Sequence, residues 1–178
     1  MKTRLDISLG LAAALALLLT GATRSPKGMG EPLARASIEP RSGSTVTGTA
    51  IFAESSPGRV AVHVHIEKAP PGTHGLHIHE KGDCSDPEAK SAGPHFNPGG
   101  MPHAGPQNPK HHAGDLGNIE IRPDGTGDLE IVSDMLTVKP GPNSVIGRSV
   151  VFHEKADDFT TQPTGNAGGR WGCGVIHF

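Results

Sequence analysis

Gly75-Leu-His-Ile-His-Glu-Lys-Gly-Asp-Cys84 opens the stretch of sequence around which the rest of the chain is organised. His77 and His79 alternate here with apolar residues, and successive side chains of a β-strand point to opposite faces of the sheet. The pattern therefore predicts a strand with both imidazoles on one face, where the two rings can share one metal ion.

The same stretch continues to Asp115 with an unusual density of metal-binding side chains. Imidazole and carboxylate groups together suit zinc or copper. The later histidines lie among Gly, Pro, Asn and Ser, which is the composition of a loop. The sequence thus predicts a metal site built from one strand and a long loop, with candidate ligands His77, His79, His95, His103, His111, His112 and Asp115.

The segments on either side of this stretch predict an all-β protein. Short runs rich in Val, Ile and Thr are separated by Pro and Gly turns, and we find no convincing amphipathic helix. About eight short strands at regular spacing are typical of a sandwich or flattened barrel. Besides the strand at His77, the predicted strands are Ala34 to Glu39, Thr45 to Ala53, Arg59 to Glu67, Leu116 to Ile121, Thr126 to Val132, Val145 to His153 and Gly172 to His177.

The amino terminus has the pattern of an export signal. Lys2 and Arg4 precede an apolar run that ends in small residues, and this run is too short to span a membrane. We therefore expect a signal peptide over residues 1–22, a disordered leader over 23–33, a domain over 34–178 and no stable membrane anchor. The net charge of −2 gives no reason to expect nucleic acid as a partner.

Two cysteines in an exported chain most simply form one disulfide, although two buried free thiols are the alternative. Cys84 and Cys173 would close most of the domain into one loop. Such a bridge is worth roughly 4 to 5 kcal/mol at most, because strain in the native state subtracts from the entropic gain.

Several blocks of the chain, taken together, resemble the copper/zinc superoxide dismutases of the bacterial secreted kind. The resemblance covers Ala34 to Phe178 and implies an eight-stranded Greek-key fold with long metal-binding and channel loops. It further implies an antioxidant enzyme of the periplasm. The matching blocks are Gly75 to His79, Ser91 to Pro98, Gly114 to Asn118, Gly147-Arg148, His153 to Asp157 and Gly165 to Gly174.

The resemblance also implies a role for individual residues. Asp157 matches a carboxylate that would link His77 to His103, Arg170 matches the arginine that borders the copper channel, and Cys84 and Cys173 match an intrasubunit disulfide. A copper ion would be held by His77, His79, His95 and His153, and a zinc ion by His95, His103, His112 and Asp115. His95 would bridge the two metals.

The implied reaction alternates between two superoxide ions at the copper. One ion reduces the copper and leaves as oxygen, and the second reoxidises it and leaves, with protons, as hydrogen peroxide. His95 would take up and return a proton between these steps, and zinc would be structural.

Some alternatives stay open at this point. His111 could replace its neighbour His112 as a ligand, and the fold could serve a metal carrier instead of an enzyme. The pair His63 and His65 repeats the spacing of the first two ligands, but we expect it on a solvated strand face without a catalytic role. The oligomeric state is not indicated, although a homodimer is compatible with the resemblance.

Overall fold

The computed structural model of the protein describes residues 34–178, so the predicted signal peptide and leader lie outside the described residues. Eight antiparallel strands carry the fold, and the part of the chain described contains one 3-10 turn, Lys90–Ala92, but no α-helix. The strands are β1 Ala34–Pro40, β2 Thr47–Ser56, β3 Arg59–Glu67, β4 Gly72–His79, β5 Asp115–Ile121, β6 Gly127–Ser133, β7 Ser149–His153 and β8 Arg170–Val175.

The strands form one sheet that curls into a nearly closed, flattened barrel. Their order is β5-β4-β7-β8-β1-β2-β3-β6, and the outer strands β5 and β6 pack against each other. β3 and β4 follow one another in the chain but lie far apart in this order, which is the Greek-key crossover. The all-β prediction is therefore confirmed, and β4 lies between β5 and β7, two strands that come much later in the chain.

Alternation of apolar side chains explains the core. In β3, Val60, Val62, Val64 and Ile66 are buried while the residues between them are at least partly exposed. In β4, Leu76 and Ile78 join the same core. His77 and His79, on the other face of β4, are nevertheless also fully buried.

One predicted strand is too long at its start. We expected a strand from Val145, but β7 begins at Ser149. Gly147 has a φ of 75°, a left-handed conformation that interrupts an extended strand, and the Arg148 amide donates to the carbonyl of Val145 in a turn. Val145 is still fully buried, so its side chain contributes to the core from a turn.

The long loop between β4 and β5 is tied to the last strand by a disulfide between Cys84 and Cys173, as predicted. Arg41 Nε also donates to the carbonyl of Cys84 at 2.8 Å. The bridge anchors the loop close to Arg170, at the start of β8. Within residues 34–178, no helix is long and apolar enough to cross a membrane.

Candidate metal centre

Two neighbouring strands and one loop bring the first group of imidazoles together. His77 and His79 extend from β4, and β7, which pairs with β4, ends at His153. His95 reaches them because its backbone forms an isolated β-bridge with His79. The ligand nitrogens of these four residues lie within 4.8 Å of one another, and all four side chains are buried.

A second group surrounds one carboxylate oxygen. The Oδ1 atom of Asp115 lies 2.9 Å from His95 Nδ1, 3.1 Å from His103 Nδ1 and 3.3 Å from His112 Nδ1. Bonds of about 2.0 Å to a tetrahedral zinc ion give ligand-to-ligand distances of about 3.3 Å. The spacing of this group is therefore close to that of a tetrahedral zinc site.

The buried ring nitrogens provide a test of whether metal ions fit these groups. An unpaired buried polar atom is costly, so native proteins rarely leave one without a partner. Here five buried imidazole nitrogens have no hydrogen-bond partner among the described residues. The five atoms are His77 Nδ1, His95 Nε2, His103 Nδ1, His112 Nδ1 and His153 Nδ1. A cation that accepts the lone pairs of the first four would satisfy them, and the donor types suit copper and zinc. At His153 the nitrogen near another ring is Nε2, which lies 3.4 Å from His79 Nε2.

In the rings of His77, His79 and His103, a hydrogen bond to one nitrogen determines that the other nitrogen is available to bind a metal. Asp157 accepts from His77 Nε2 at 2.8 Å and from His103 Nε2 at 2.9 Å. The Nδ1 of His79 donates to the carbonyl of Gly93 at 2.8 Å. Because each of these bonds needs a proton on the named nitrogen, the other nitrogen of the ring carries the lone pair.

The protonation states also favour metal binding at neutral pH. Burial lowers the pKa of His153 and His79 well below the usual value for histidine, and it lowers the pKa of His95 to about 4. Burial alone would raise the pKa of Asp115, but the close approach of the His112 and His95 rings holds that pKa well below its ordinary value. The imidazoles of His79, His95 and His153 are thus neutral at neutral pH and the Asp115 carboxyl is ionised, which is the state that binds cations.

Asp157 is itself held in place by a residue that sequence reasoning gave no role. Asn118 on β5 donates from Nδ2 to the carbonyl of Asp157 at 2.9 Å, and its Oδ1 accepts from the Asp157 amide at 2.8 Å. A Cβ at Gly165 would overlap the Asp157 carboxylate, which explains a glycine at that position. Asn118 falls inside one of the family blocks, so the block was the only signal available.

His74 is a second residue that sequence reasoning missed. Its ring is buried, with Nδ1 3.0 Å from the carbonyl of His153 and Nε2 3.1 Å from the carbonyl of Pro70. The ring also stacks on Phe152 with a centroid distance of 4.9 Å. No spacing rule predicts these contacts of His74, because they depend on how β4 and the turn before it pack against β7.

Arg170 lies close to the first group. Its guanidinium is half-buried and donates from Nη1 to the carbonyl of Ala89 at 2.7 Å. Burial lowers the pKa of Arg170, yet a guanidinium stays charged at neutral pH. Its positive charge in turn contributes to the lowered pKa of His79 and His153.

A cavity of about 400 Å³ opens beside the junction of the two groups. Its walls include His95 and His112, together with Arg148, whose guanidinium lies 4.3 Å from the centroid of the Phe96 ring. Solvent can therefore approach His95 from this side, although the ring itself is buried.

The other three candidate histidines, His63, His65 and His111, belong to neither group. The Nδ1 of His111 donates to the carbonyl of His112 at 2.7 Å, and only His112 joins the second group. The Nδ1 of His65 lies 2.7 Å from an Asp128 carboxylate oxygen on the outer face of the sheet, with His63 beside it.

If the two groups hold copper and zinc in a superoxide dismutase, as the resemblance implies, we expect the double variant His63→Gln/His65→Gln to bind both metals and to remove superoxide at the parental rate. Among residues 34–178 both rings lie near carboxylates of the outer sheet face and belong to neither ligand group, so their loss removes no ligand. Metal analysis and a superoxide-decay assay check this expectation. Loss of copper, or of most of the activity, would show that this face takes part in the reaction.

Comparison with known proteins identifies the family. The sequence profile described as copper/zinc superoxide dismutase (SODC) matches residues 46–176. The chain belongs to the copper/zinc superoxide dismutase family. Members of this family are enzymes that use copper and zinc, which agrees with the two groups of buried side chains.

A solved structure supports the same membership. The chain resembles the protein in a structure titled as a crystal structure analysis of the clock protein EA4, with 40% sequence identity and a TM-score of 0.73. The match covers 84% of this chain and 97% of that one. The structural similarity therefore extends over most of this chain.

Proposed function

We propose that a redox-active copper ion is held by His77, His79, His95 and His153, and that a structural zinc ion is held by His95, His103, His112 and Asp115. An all-nitrogen set accommodates both oxidation states of copper. Three imidazoles and a carboxylate fill a tetrahedral zinc site and leave no position for substrate. The observation that carries the proposal is the set of buried ring nitrogens without a partner.

The proposed reaction is the dismutation of superoxide to oxygen and hydrogen peroxide. Copper, when bound, supplies the one-electron redox chemistry that this reaction needs. His95 Nε2, buried and without a hydrogen-bond partner among the described residues, is the atom that takes up and returns a proton. Nδ1 of the same ring, 2.9 Å from the Asp115 carboxylate, would be the zinc ligand, so the imidazole keeps its orientation while the proton moves.

Residues around the site position the ligands and the substrate. Asp157 keeps the protons of His77 and His103 on Nε2, so that both Nδ1 atoms face the metals. Arg170 attracts the superoxide anion and orients it beside the copper, because a guanidinium can donate two hydrogen bonds to one anion.

We further propose that the enzyme is exported to the periplasm, as the bacterial secreted kind is. In this proposal residues 1–22 are removed as a signal peptide, residues 23–33 are a leader, and 34–178 form the enzyme domain. The disulfide between Cys84 and Cys173 supports an oxidising compartment. Cell fractionation with amino-terminal sequencing tests the proposal, and light scattering tests whether the enzyme is a homodimer.

Metal analysis of the folded, oxidised protein, combined with a superoxide-decay assay, tests the function. We expect about one copper and one zinc per chain, as the two distinct ligand groups require, together with fast decay of superoxide. A protein that binds both metals but leaves superoxide decay unchanged would instead be a metal carrier.

We expect Arg170→Ile to keep both metals and the fold but to lose on the order of tenfold in kcat/KM, within the range of electrostatic steering. The loop between His153 and Arg170 carries both signs of charge, so it adds little net positive field. Arg170→Lys should be intermediate, because it keeps the charge but not the two-pronged donor.

Ionic strength provides the control for this prediction. Salt screens the attraction of an anion, so the rate of Arg170→Ile should depend less on salt than the rate of the parent enzyme. A fully metallated Arg170→Ile enzyme with the parental rate and salt dependence would contradict a guiding role. Guidance would then have to come from Lys110, Lys139 or another surface cation.

A further inference from the structure

The channel loop, residues 154–169, contacts the backbone of the zinc-ligand loop, residues 80–114, through the side chain of Gln162. The Oε1 atom of Gln162 accepts from the backbone amide of His103 at 2.8 Å, and its Nε2 donates to the His103 carbonyl at 2.7 Å. The amide group therefore pairs with both backbone groups of one residue, as a neighbouring β-strand would. Such a pair sets the orientation of the His103 backbone as well as its position.

His103 needs this support more than the other residues of the second group. His112 and Asp115 bond to each other's backbone within one turn, and His95 lies in a β-bridge. Within residues 34–178, the backbone amide and carbonyl of His103 have no hydrogen-bond partner other than Gln162. The ring of His103 is held separately, by Asp157 at Nε2.

The loop that carries Gln162 is held by its own hydrogen bonds. The Asp158 carboxylate accepts from the backbone amides of Thr160 and Thr161, at 2.9 and 2.8 Å. The Gly165 amide donates to the Thr161 carbonyl at 2.7 Å, and the Asp158 amide donates back to the Gly165 carbonyl at 2.9 Å. Gln162 thus projects from an internally bonded turn, so its amide is held in position before it meets His103.

We propose that Gln162 is a positioning residue that aims His103 at the zinc ion and so makes zinc affinity depend on the channel loop. This inference rests on the proposed assignment of His103 to zinc. Asp157 fixes the tautomer of His103, but with this bond alone the ring could still pivot about Nε2. Gln162 fixes the backbone from which the ring extends. Both constraints together leave Nδ1 with one direction, toward Asp115.

The test is zinc binding by Gln162→Met, a variant of similar length that can form neither hydrogen bond. We expect zinc to dissociate into a chelator ten to a hundred times faster, the range typical when a partner of a metal ligand is removed. Copper affinity should stay parental, because within residues 34–178 Gln162 forms no hydrogen bond with a copper ligand. The absorption of Co²⁺ substituted at the zinc site should also change, since it reports ligand geometry.

Two further measurements separate positioning from general stability. The metal-free, disulfide-bonded Gln162→Met protein should melt near the parental temperature, and Gln162→Glu, which can accept from His103 but not donate, should lose zinc at an intermediate rate. Thr160→Ala, a change in the same loop away from His103, serves as the matched control. Equal loss of copper and zinc, or parental zinc release by both Gln162 variants, would overturn the proposal.

Asp115→Ala, measured in parallel, shows which proposal has failed. If Asp115→Ala keeps zinc, the zinc assignment itself is wrong. If Asp115→Ala loses zinc while Gln162→Met releases it at the parental rate, only the role of Gln162 is wrong.

Discussion

His153→Ala loses one ring from the copper group, and we expect the variant to lose copper and activity while it keeps its zinc. His153 belongs to the first group alone, so the second group is left complete. Activity should fall by more than about a hundredfold, the upper end of the loss seen when only an outer partner of a ligand is removed. Metal analysis and the superoxide-decay assay measure both effects.

Asp115→Ala is the reciprocal variant. It removes the oxygen that three imidazoles approach, so zinc should be lost while copper can still bind, at some loss of order in the loop. Equal loss of both metals in each variant would show that the division of ligands between copper and zinc is wrong.

Asp157→Asn should lower the affinity for both metals, whereas each of the two variants above should lose only one metal. An amide offers one acceptor oxygen, whereas His77 and His103 both donate to the carboxylate. One of the two rings must then shift its proton to Nδ1, which is the nitrogen needed for a metal. We expect zinc affinity to fall ten- to a hundredfold, as for other outer partners of metal ligands, with a smaller loss for copper.

Competition with a chelator measures these affinities, and Asp134→Asn is the control. Asp134 is an exposed carboxylate on the turn after β6, so this variant makes the same change of charge at a residue that belongs to neither ligand group. If Asp157→Asn bound zinc as tightly as Asp134→Asn, the carboxylate would not be setting the tautomers.

The amino-acid pattern was sufficient to predict most of the strands. Alternation in Val60 to Ile66 indicated which face of β3 is buried, because side chains of a strand alternate regardless of what lies opposite them. The same rule predicted that Leu76 and Ile78 lie on the opposite face of β4 from His77 and His79. It failed at Val145, where a buried side chain belongs to a turn, since burial by itself does not distinguish a strand from a packed turn.

The candidate ligands could be predicted as a set because their residue types and family blocks are visible in the chain. The structure brings the same residues together in two groups, while the division between copper and zinc stays a prediction. Only the structure shows that His112, and not His111, belongs to the second group. The two are adjacent, and only the turn closed by Asp115 aims one ring inward.

By itself, then, the sequence determined the all-β class, the pairing of its only two cysteines and the list of side chains able to bind metal. Only the tertiary structure decided that Asn118 bonds to Asp157, His74 to His153 and Gln162 to His103. Each of these contacts joins residues that are distant in the chain, and it exists because β4 is placed between β5 and β7 and the channel loop packs against the zinc-ligand loop. Local patterns record which side chains face inward, but they do not record which distant backbone those side chains will meet.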